Sequence, residues 1–120
     1  PILWAGTIPD LLAALDQIAA WAPETIVPGH GPVTDLAGVA EIRAYYEYCH
    51  AQARTRFDAG MDVATAAADI QLDRWANWGD PERIVTVMDA CFREFRGGAA
   101  PSPITDLFAQ MADRWNATRN

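Results

Sequence analysis

The sequence predicts a predominantly helical α+β chain, and two observations carry that prediction. Apolar residues recur at helical spacing in several segments, each bounded by residues that commonly cap or break helices. A single β-branched run, Thr25-Ile26-Val27, has the composition of a short buried strand and stops at Pro28, which cannot donate to a sheet ladder. We therefore expect one short strand and about five helices.

Two of these helices are predicted on either side of the strand. Thr7 resembles the start of the first, whose apolar stripe continues as far as Pro23. Thr34-Asp35 has the composition of a cap for a second, long helix, and Gly60 is well placed as its left-handed stop. The first helix is expected to cover one side of the strand.

Three further helices are predicted downstream. Asp62 starts a short alanine-rich helix that continues to Ile70. Asp80-Pro81-Glu82 has the cap, first-turn proline and first-turn acid of a helix that ends at Gly97-Gly98. Ser102-Pro103 opens the last helix. Its predicted inward residues are Ile104, Leu107, Phe108, Met111 and Trp115.

Composition indicates a soluble, globular chain. The 120 residues are 51% hydrophobic, which is enough for one core, so residues 1–120 are expected to form a single unit. No apolar run approaches the roughly 20 residues that span a bilayer and no basic leader precedes one, which favours the cytoplasm and no membrane partner. Cys49 and Cys91 lack paired-cysteine spacing and are expected to be core residues. A formal charge of −7, with arginines spread along helices, argues against a nucleic-acid partner.

One stretch, residues 26–33, holds the main candidate for chemistry. Gly29 and Gly31 flank His30, and Pro28 and Pro32 stiffen the loop on either side. The order of helix, strand and loop places His30 at the carboxyl end of a strand, where open α/β folds bind ligands. The local pattern fits either a tight turn with a solvated histidine or a loop that presents a metal ligand.

The segment Pro28-Gly29-His30-Gly31-Pro32 resembles the loop that carries the last histidine ligand in metallo-β-lactamase-fold hydrolases. The similarity continues in Trp4-Ala5-Gly6, Pro23-Glu24-Thr25, Thr34-Asp35, Phe57-Asp58-Ala59-Gly60-Met61 and Trp78-Gly79-Asp80-Pro81-Glu82-Arg83. It covers nearly all of this chain but about half of a family member. It implies the C-terminal portion of an αββα sandwich, with the strand and loop in residues 1–35 and a helical region in 36–120. The family's His-x-His-x-Asp-His cluster, next histidine and bridging aspartate do not occur in these residues.

The resemblance also implies a function. The parent would be a zinc-dependent hydrolase that uses one or two metal ions to attack an ester, thioester, amide or phosphoester in a small molecule. His30 would be one metal ligand, with Pro28, Gly29, Gly31 and Pro32 supporting its loop. A catalytic zinc takes about three protein ligands, so the others would belong to the missing N-terminal half of the parent. That half, or a second copy of the chain, is the expected partner. The isolated chain is expected to be inactive.

Other candidates are weaker. Trp75, Trp78, Tyr45 and Tyr46 are candidates for a pocket wall. For the two tryptophans a hydrophobic plug beneath a loop is favoured over that role, because large aromatic side chains dominate core burial. His50 lies beside the stripe of the long helix and is expected to be a satisfied or solvated residue. A non-catalytic helical interaction or structural module stays open as an alternative.

The predicted strand and the lead-in are expected to have few partners inside the chain. Both segments are apolar, and an unpaired strand edge or an apolar patch seldom stays exposed on a soluble monomer. Self-association, or retention of the other half of the parent, is therefore expected. The residues concerned are Ile2, Leu3, Trp4, Ile26 and Val27.

Overall fold

Helices make up most of the part of the chain that the computed structural model describes, residues 1–119. Within that range five α-helices form, which confirms the predominantly helical prediction. They are α1 (Ile8–Ala20), α2 (Leu36–Asp58), α3 (Val63–Asp69), α4 (Ile84–Phe95) and α5 (Ile104–Arg119). Two short 3₁₀ turns, Asp73–Trp75 and Pro81–Arg83, precede α4.

Helix α4 is the centre of the fold. Every residue from 84 to 92 is buried, so this helix has no solvent face along most of its length. Helices α2, α3 and α5 pack against it, and α1 packs on α2. The Phe57 ring of α2 meets the rings of Phe92 and Phe95 at centroid distances of 5.3 and 5.4 Å. Cys49 and Cys91 are buried free thiols in this core, as predicted.

Several predicted helix boundaries are confirmed because their capping groups are in place. The side chains of Thr7, Asp35 and Asp62 each accept a backbone N–H from the first turn of a helix, at 3.2, 2.8 and 2.7 Å respectively. After α2, Gly60 takes φ +77°, and Gly97-Gly98 takes φ +79° and +85° after α4. These short-range signals are sufficient to fix where α1, α2 and α3 begin.

The start of α4 differs from the prediction. Asp80 has a left-handed backbone, φ +58°, and its carboxylate pairs with Arg83 at 2.8 Å instead of capping the helix. An N-cap residue is normally extended, and only then does its side chain reach the first-turn N–H groups. Residues Pro81–Arg83 consequently form a 3₁₀ turn, and the α-helix begins at Ile84.

The predicted buried strand is wrong. Ile26 N–H donates to the Thr34 carbonyl at 2.8 Å, and Thr34 N–H donates to the Ile26 carbonyl at 2.9 Å. This isolated antiparallel bridge is the only β-pairing in residues 1–119, and Val27 is 78% exposed. The β-branched run pairs across its own loop because no other extended segment of the described chain lies beside it. Helix α1 therefore packs on α2 and covers no sheet.

The face of α5 is only partly as predicted. Leu107 and Met111 are buried, whereas Ile104, Phe108 and Trp115 are exposed. The apolar stripe of α5 is wider than the part of that helix buried in the core. The prediction that residues 104, 108 and 115 face inward is therefore wrong.

The lead-in has partners inside the chain, contrary to the prediction. Leu3 N–H donates to Thr86 Oγ1 at 3.1 Å, and the Leu3 side chain packs against the core. The Trp4 ring lies against that of Phe108, with centroids 5.5 Å apart. None of the helices in residues 1–119 combines the length and apolar character needed to cross a membrane.

Candidate functional site

The loop that carries His30 is short and tied at its base. The Ile26–Thr34 bridge closes it, and the His30 side chain is exposed at its tip. Gly31 has φ +104°, a conformation that residues with a side chain rarely adopt. Gly29 has no such backbone, so only one of the two glycines is required by conformation.

Gly38 seats the base of this loop against the first turn of α2. A Cβ at this position would lie 2.2 Å from Thr34 Oγ1 and 2.8 Å from Thr34 Cγ2. Both distances are too short for non-bonded atoms, so a side chain here would displace Thr34. The position of the loop relative to α2 therefore depends on this glycine.

A groove of about 840 Å³ lies between the loop and the turn that precedes α4. Residues 28–32 of the loop form one part of its lining, and residues 77–80 together with Arg83 form another. Helix α2 contributes Gly38, Ile42 and Tyr46. The volume falls in the range of roughly 300–1,000 Å³ that is typical of small-molecule pockets.

The structure separates the four aromatic candidates into two pairs. Tyr46 and Trp78 line the groove, whereas Tyr45 and Trp75 do not. The buried Trp75 indole N–H donates to Glu41 Oε1 at 2.6 Å. The Trp78 ring stacks on Tyr45, with centroids 5.3 Å apart. Trp75 is therefore a buried plug, and Trp78 is part of the pocket wall.

Tyr46 contributes a phenol to the lining of the groove. Its side chain is 4% exposed, and burial raises the pKa of the phenol to about 12, so the group stays protonated at neutral pH.

The charged side chains of the groove are mostly paired with other residues of the chain. Glu41 lies 3.2 Å from the Arg74 guanidinium, and Arg83 lies 2.8 Å from Asp80. The other titratable side chains of the lining are those of His30 and Tyr46, which belong to neither ion pair. The groove therefore combines apolar and aromatic walls with one imidazole, one phenol and the amino group of Pro1, whose pKa is lowered by burial.

Residues 1–119 alone cannot complete a zinc site. In residues 1–119 no three His, Cys, Asp or Glu side chains are close enough together to hold a metal ion. Catalytic zinc sites take about three protein ligands, and His30 would supply one. The described part of the chain is at most a contributor to such a site.

His50 is a satisfied structural residue, as predicted. Its Nε2 lies 2.9 Å from Glu94 Oε1, and its ring packs on Phe95 at a centroid distance of 5.1 Å. It joins α2 to α4 and does not line the groove.

Sequence reasoning missed part of the groove. Positions 38, 42 and 46 repeat at helical spacing on α2, and that period marks the face which meets the loop. No comparable signal marks Asp80 and Arg83, because their placement depends on the left-handed turn at Asp80. Comparisons of the chain with protein-family models, with curated proteins and with solved structures find no match.

Proposed function

We propose that this chain is the C-terminal part of a cytoplasmic, zinc-dependent metallo-β-lactamase-fold hydrolase and contributes His30 as one metal ligand. The family assignment rests on the similarity of residues 28–32 and of the segments around them to that fold. One structural observation supports it above the others. His30 is exposed on a short loop tied at its base, beside a groove large enough for a small molecule.

The remaining metal ligands are proposed to come from the N-terminal half of the parent or from a second copy of the chain. The described residues hold no group of three candidate ligands, so a complete site needs another contributor. Val27 and Val33, next to the loop, are both exposed. A segment that supplied the other ligands would cover these apolar side chains.

The proposed reaction is hydrolysis of an ester, thioester, amide or phosphoester in a small molecule. The zinc ions, when bound in the parent, would generate the nucleophile. This chain's contribution is to present the His30 imidazole, to hold its loop in shape through Pro28, Gly31 and Pro32, and to form one side of the substrate groove. By itself the chain is expected to be inactive.

The test uses the complete reading frame that encodes this chain. The residues upstream of Pro1 should contain the His-x-His-x-Asp-His cluster, and the protein should hydrolyse at least one of these substrate classes. His30→Ala should lower kcat/KM on the order of 100-fold or more and reduce the bound zinc, because a ligand is lost. His50→Ala is the matched control and should change kcat/KM only a few-fold. Equal losses in two folded variants would show that the site is misplaced.

A second candidate function is a non-catalytic helical interaction module. The exposed residues Ile104 and Phe108 on α5, with Trp4 packed beside Phe108, form an apolar patch of the kind that binds other proteins. The residues upstream of Pro1 in the reading frame also distinguish the two candidate functions. An upstream sequence without the histidine cluster favours the interaction module.

A further inference from the structure

An apolar stripe runs along one exposed side of α5. Ile104, Phe108, Ala112 and Trp115 follow one another at helical spacing, and all four are exposed. The Trp4 ring lies beside Phe108 and widens the stripe. We propose that this surface, the α5 stripe, is the interface of a homodimer in which the α5 helices of two copies pack antiparallel about a twofold axis. None of these residues lines the groove, so the inference does not depend on the zinc proposal.

The α5 stripe is held in shape by the core of its own chain. Leu107 and Met111 are buried and fix α5 along the side next to the stripe. Trp4 follows Leu3, whose side chain packs against the core, and its ring centroid lies 5.5 Å from that of Phe108. Two copies therefore lose little conformational freedom when these side chains become buried between them.

The exposed apolar area matches what a dimer of ordinary size needs. Trp4, Ile104, Phe108 and Trp115 are 40, 56, 54 and 39% exposed. At about 200 Å² for a large side chain, these fractions leave roughly 400 Å² of apolar surface on each copy. Because interfaces are about 60% apolar, the contact would bury roughly 1,300 Å² over both copies. Stable interfaces begin at about 1,200 Å², so a second copy is sufficient to cover the stripe.

The distribution of charge allows two acidic chains to meet at this surface. The chain has a formal charge of −7, so two copies repel each other on average. Residues 1–6 and 97–105, the segments next to the stripe, contain no charged side chain, and the amino terminus belongs to the groove. Asp106 and Asp113 lie about 160° and 140° around the helix from Phe108. A second copy therefore meets no carboxylate of α5 along the stripe.

The side chains of the stripe also complement each other in an antiparallel pair. With the twofold axis near position 110, Ile104 lies opposite Trp115 of the second copy, and Phe108 lies over its Ala112. A ring against an alanine lets the two helices approach closely. Arg119 lies over the Trp115 ring at 4.8 Å and ends the stripe, so the two copies place these guanidiniums at opposite ends of the interface.

Sedimentation velocity of the 120-residue chain at about 1 to 100 μM tests the inference. We expect a dimer with a dissociation constant in the micromolar range. It should persist at high salt, because the contact is apolar. Phe108→Ala should raise the dissociation constant about tenfold or more, since it removes a central aromatic side chain. Ala112→Arg should abolish the dimer, because it adds bulk and a like charge from both copies.

The matched control is Ala117→Arg. Ala117 is a second exposed alanine of α5 and lies about 140° around the helix from Ala112, away from the stripe. This variant should change the dissociation constant by less than about twofold. Circular dichroism checks the helicity of each variant. If Phe108→Ala loses helicity, Ala112→Arg, at an exposed position, carries the test.

Three results would overturn the inference. They are a monomer at the highest concentration, a dimer that neither Phe108→Ala nor Ala112→Arg weakens, and a monomeric protein when the complete reading frame is expressed. The last result would mean that another part of that protein covers the α5 stripe. Because none of these measurements involves zinc or hydrolysis, failure of this inference and failure of the zinc proposal are distinguishable.

Discussion

Helix α4 and the His30 loop are stabilised by different interactions. Residues 84–92 of α4 are buried on every side, and three other helices pack on them. The loop is tied by the two hydrogen bonds of the Ile26–Thr34 bridge, and Val27 and Val33 beside it are exposed. Burial within the chain thus stabilises the helical body, whereas the loop presents side chains that the chain itself does not cover.

The polar groups of the two regions differ in the same way. Asp89 of α4 is 3% exposed, and its carboxylate accepts from Arg93 Nε at 2.9 Å and from the Ser102 hydroxyl at 2.5 Å. These bonds tie the linker before α5 to the central helix. The ion pair at the groove, Arg83–Asp80, is by contrast partly exposed, with side chains that are 34% and 48% accessible.

The largest expected effect tests whether burial separates the two regions. Phe92 is fully buried and touches Phe57, so Phe92→Ala should lower the free energy of unfolding by about 3–5 kcal/mol. Val27→Ala, at an exposed position beside the loop, should change it by less than about 0.5 kcal/mol. Urea unfolding followed by circular dichroism measures both. Similar losses of unfolding free energy in the two variants would contradict the claim that burial stabilises the helical body and not the loop.

Alkaline pH should weaken the helical core. Burial raises the pKa of Cys49 to about 12 and raises that of Cys91 as well. In the unfolded state the pKa of each thiol is about 8.5. Above that pH the unfolded state binds fewer protons than the folded state, so stability is lost as pH rises toward 12.

The expected loss is roughly 4 kcal/mol at pH 10 relative to pH 7, because each of the two thiols contributes about 1.4 kcal/mol per pH unit over about 1.5 units. Unfolding curves at the two pH values measure it. In a Cys49→Ala, Cys91→Ala double variant most of this dependence should disappear. A double variant with the full dependence would assign the loss to other groups, such as Tyr46.

A smaller effect separates a buried ion pair from an exposed one. Asp89–Arg93 and Arg54–Asp58 are both spaced four residues apart on a helix, at 2.9 and 3.0 Å, but only the first is buried. Asp89→Asn should cost about 2 kcal/mol because it weakens a buried, charge-assisted bond. Asp58→Asn should cost less than about 0.5 kcal/mol. Thermal unfolding at pH 7 compares them, and equal costs would contradict the role assigned to the Asp89 contacts.

The smallest effect concerns the loop itself. Gly31→Ala places a side chain at φ +104° and should cost about 1 kcal/mol or more. At Gly29 a Cβ would meet no atom within 4 Å and the backbone is not left-handed, so Gly29→Ala is the matched control. Amide exchange at Ile26 and Thr34 reports the opening of the loop. Equal exchange in the two variants would show that Gly31 does not hold the loop in shape.

Most helix boundaries could be predicted from the sequence because their causes are local. Thr7, Asp35 and Asp62 cap helices through contacts two or three residues away, and Gly60 needs only its own backbone freedom. The strand could not be predicted correctly, because pairing depends on which distant segment lies beside Ile26.

The groove was only partly predictable for a similar reason. His30 stood out through its glycines and prolines, and Trp78 through its aromatic character. Tyr46 lines the groove and Tyr45 does not. Which of the two faces the groove depends on the rotation of α2 about its axis relative to the loop. That Arg83 faces the same groove depends on the left-handed turn at Asp80, which the sequence did not indicate.

Zinc titration of the isolated chain tests most directly whether the helical body is complete while the His30 site is not. Calorimetry at pH 7, with sedimentation to fix the oligomeric state, should show weak binding of less than one equivalent of zinc per chain, because one imidazole cannot supply the ligands of a tight site. The weak heat should fall in His30→Ala and persist in His50→Ala, with unfolding unchanged in the first. Tight one-to-one binding of zinc by the monomeric chain would contradict the account.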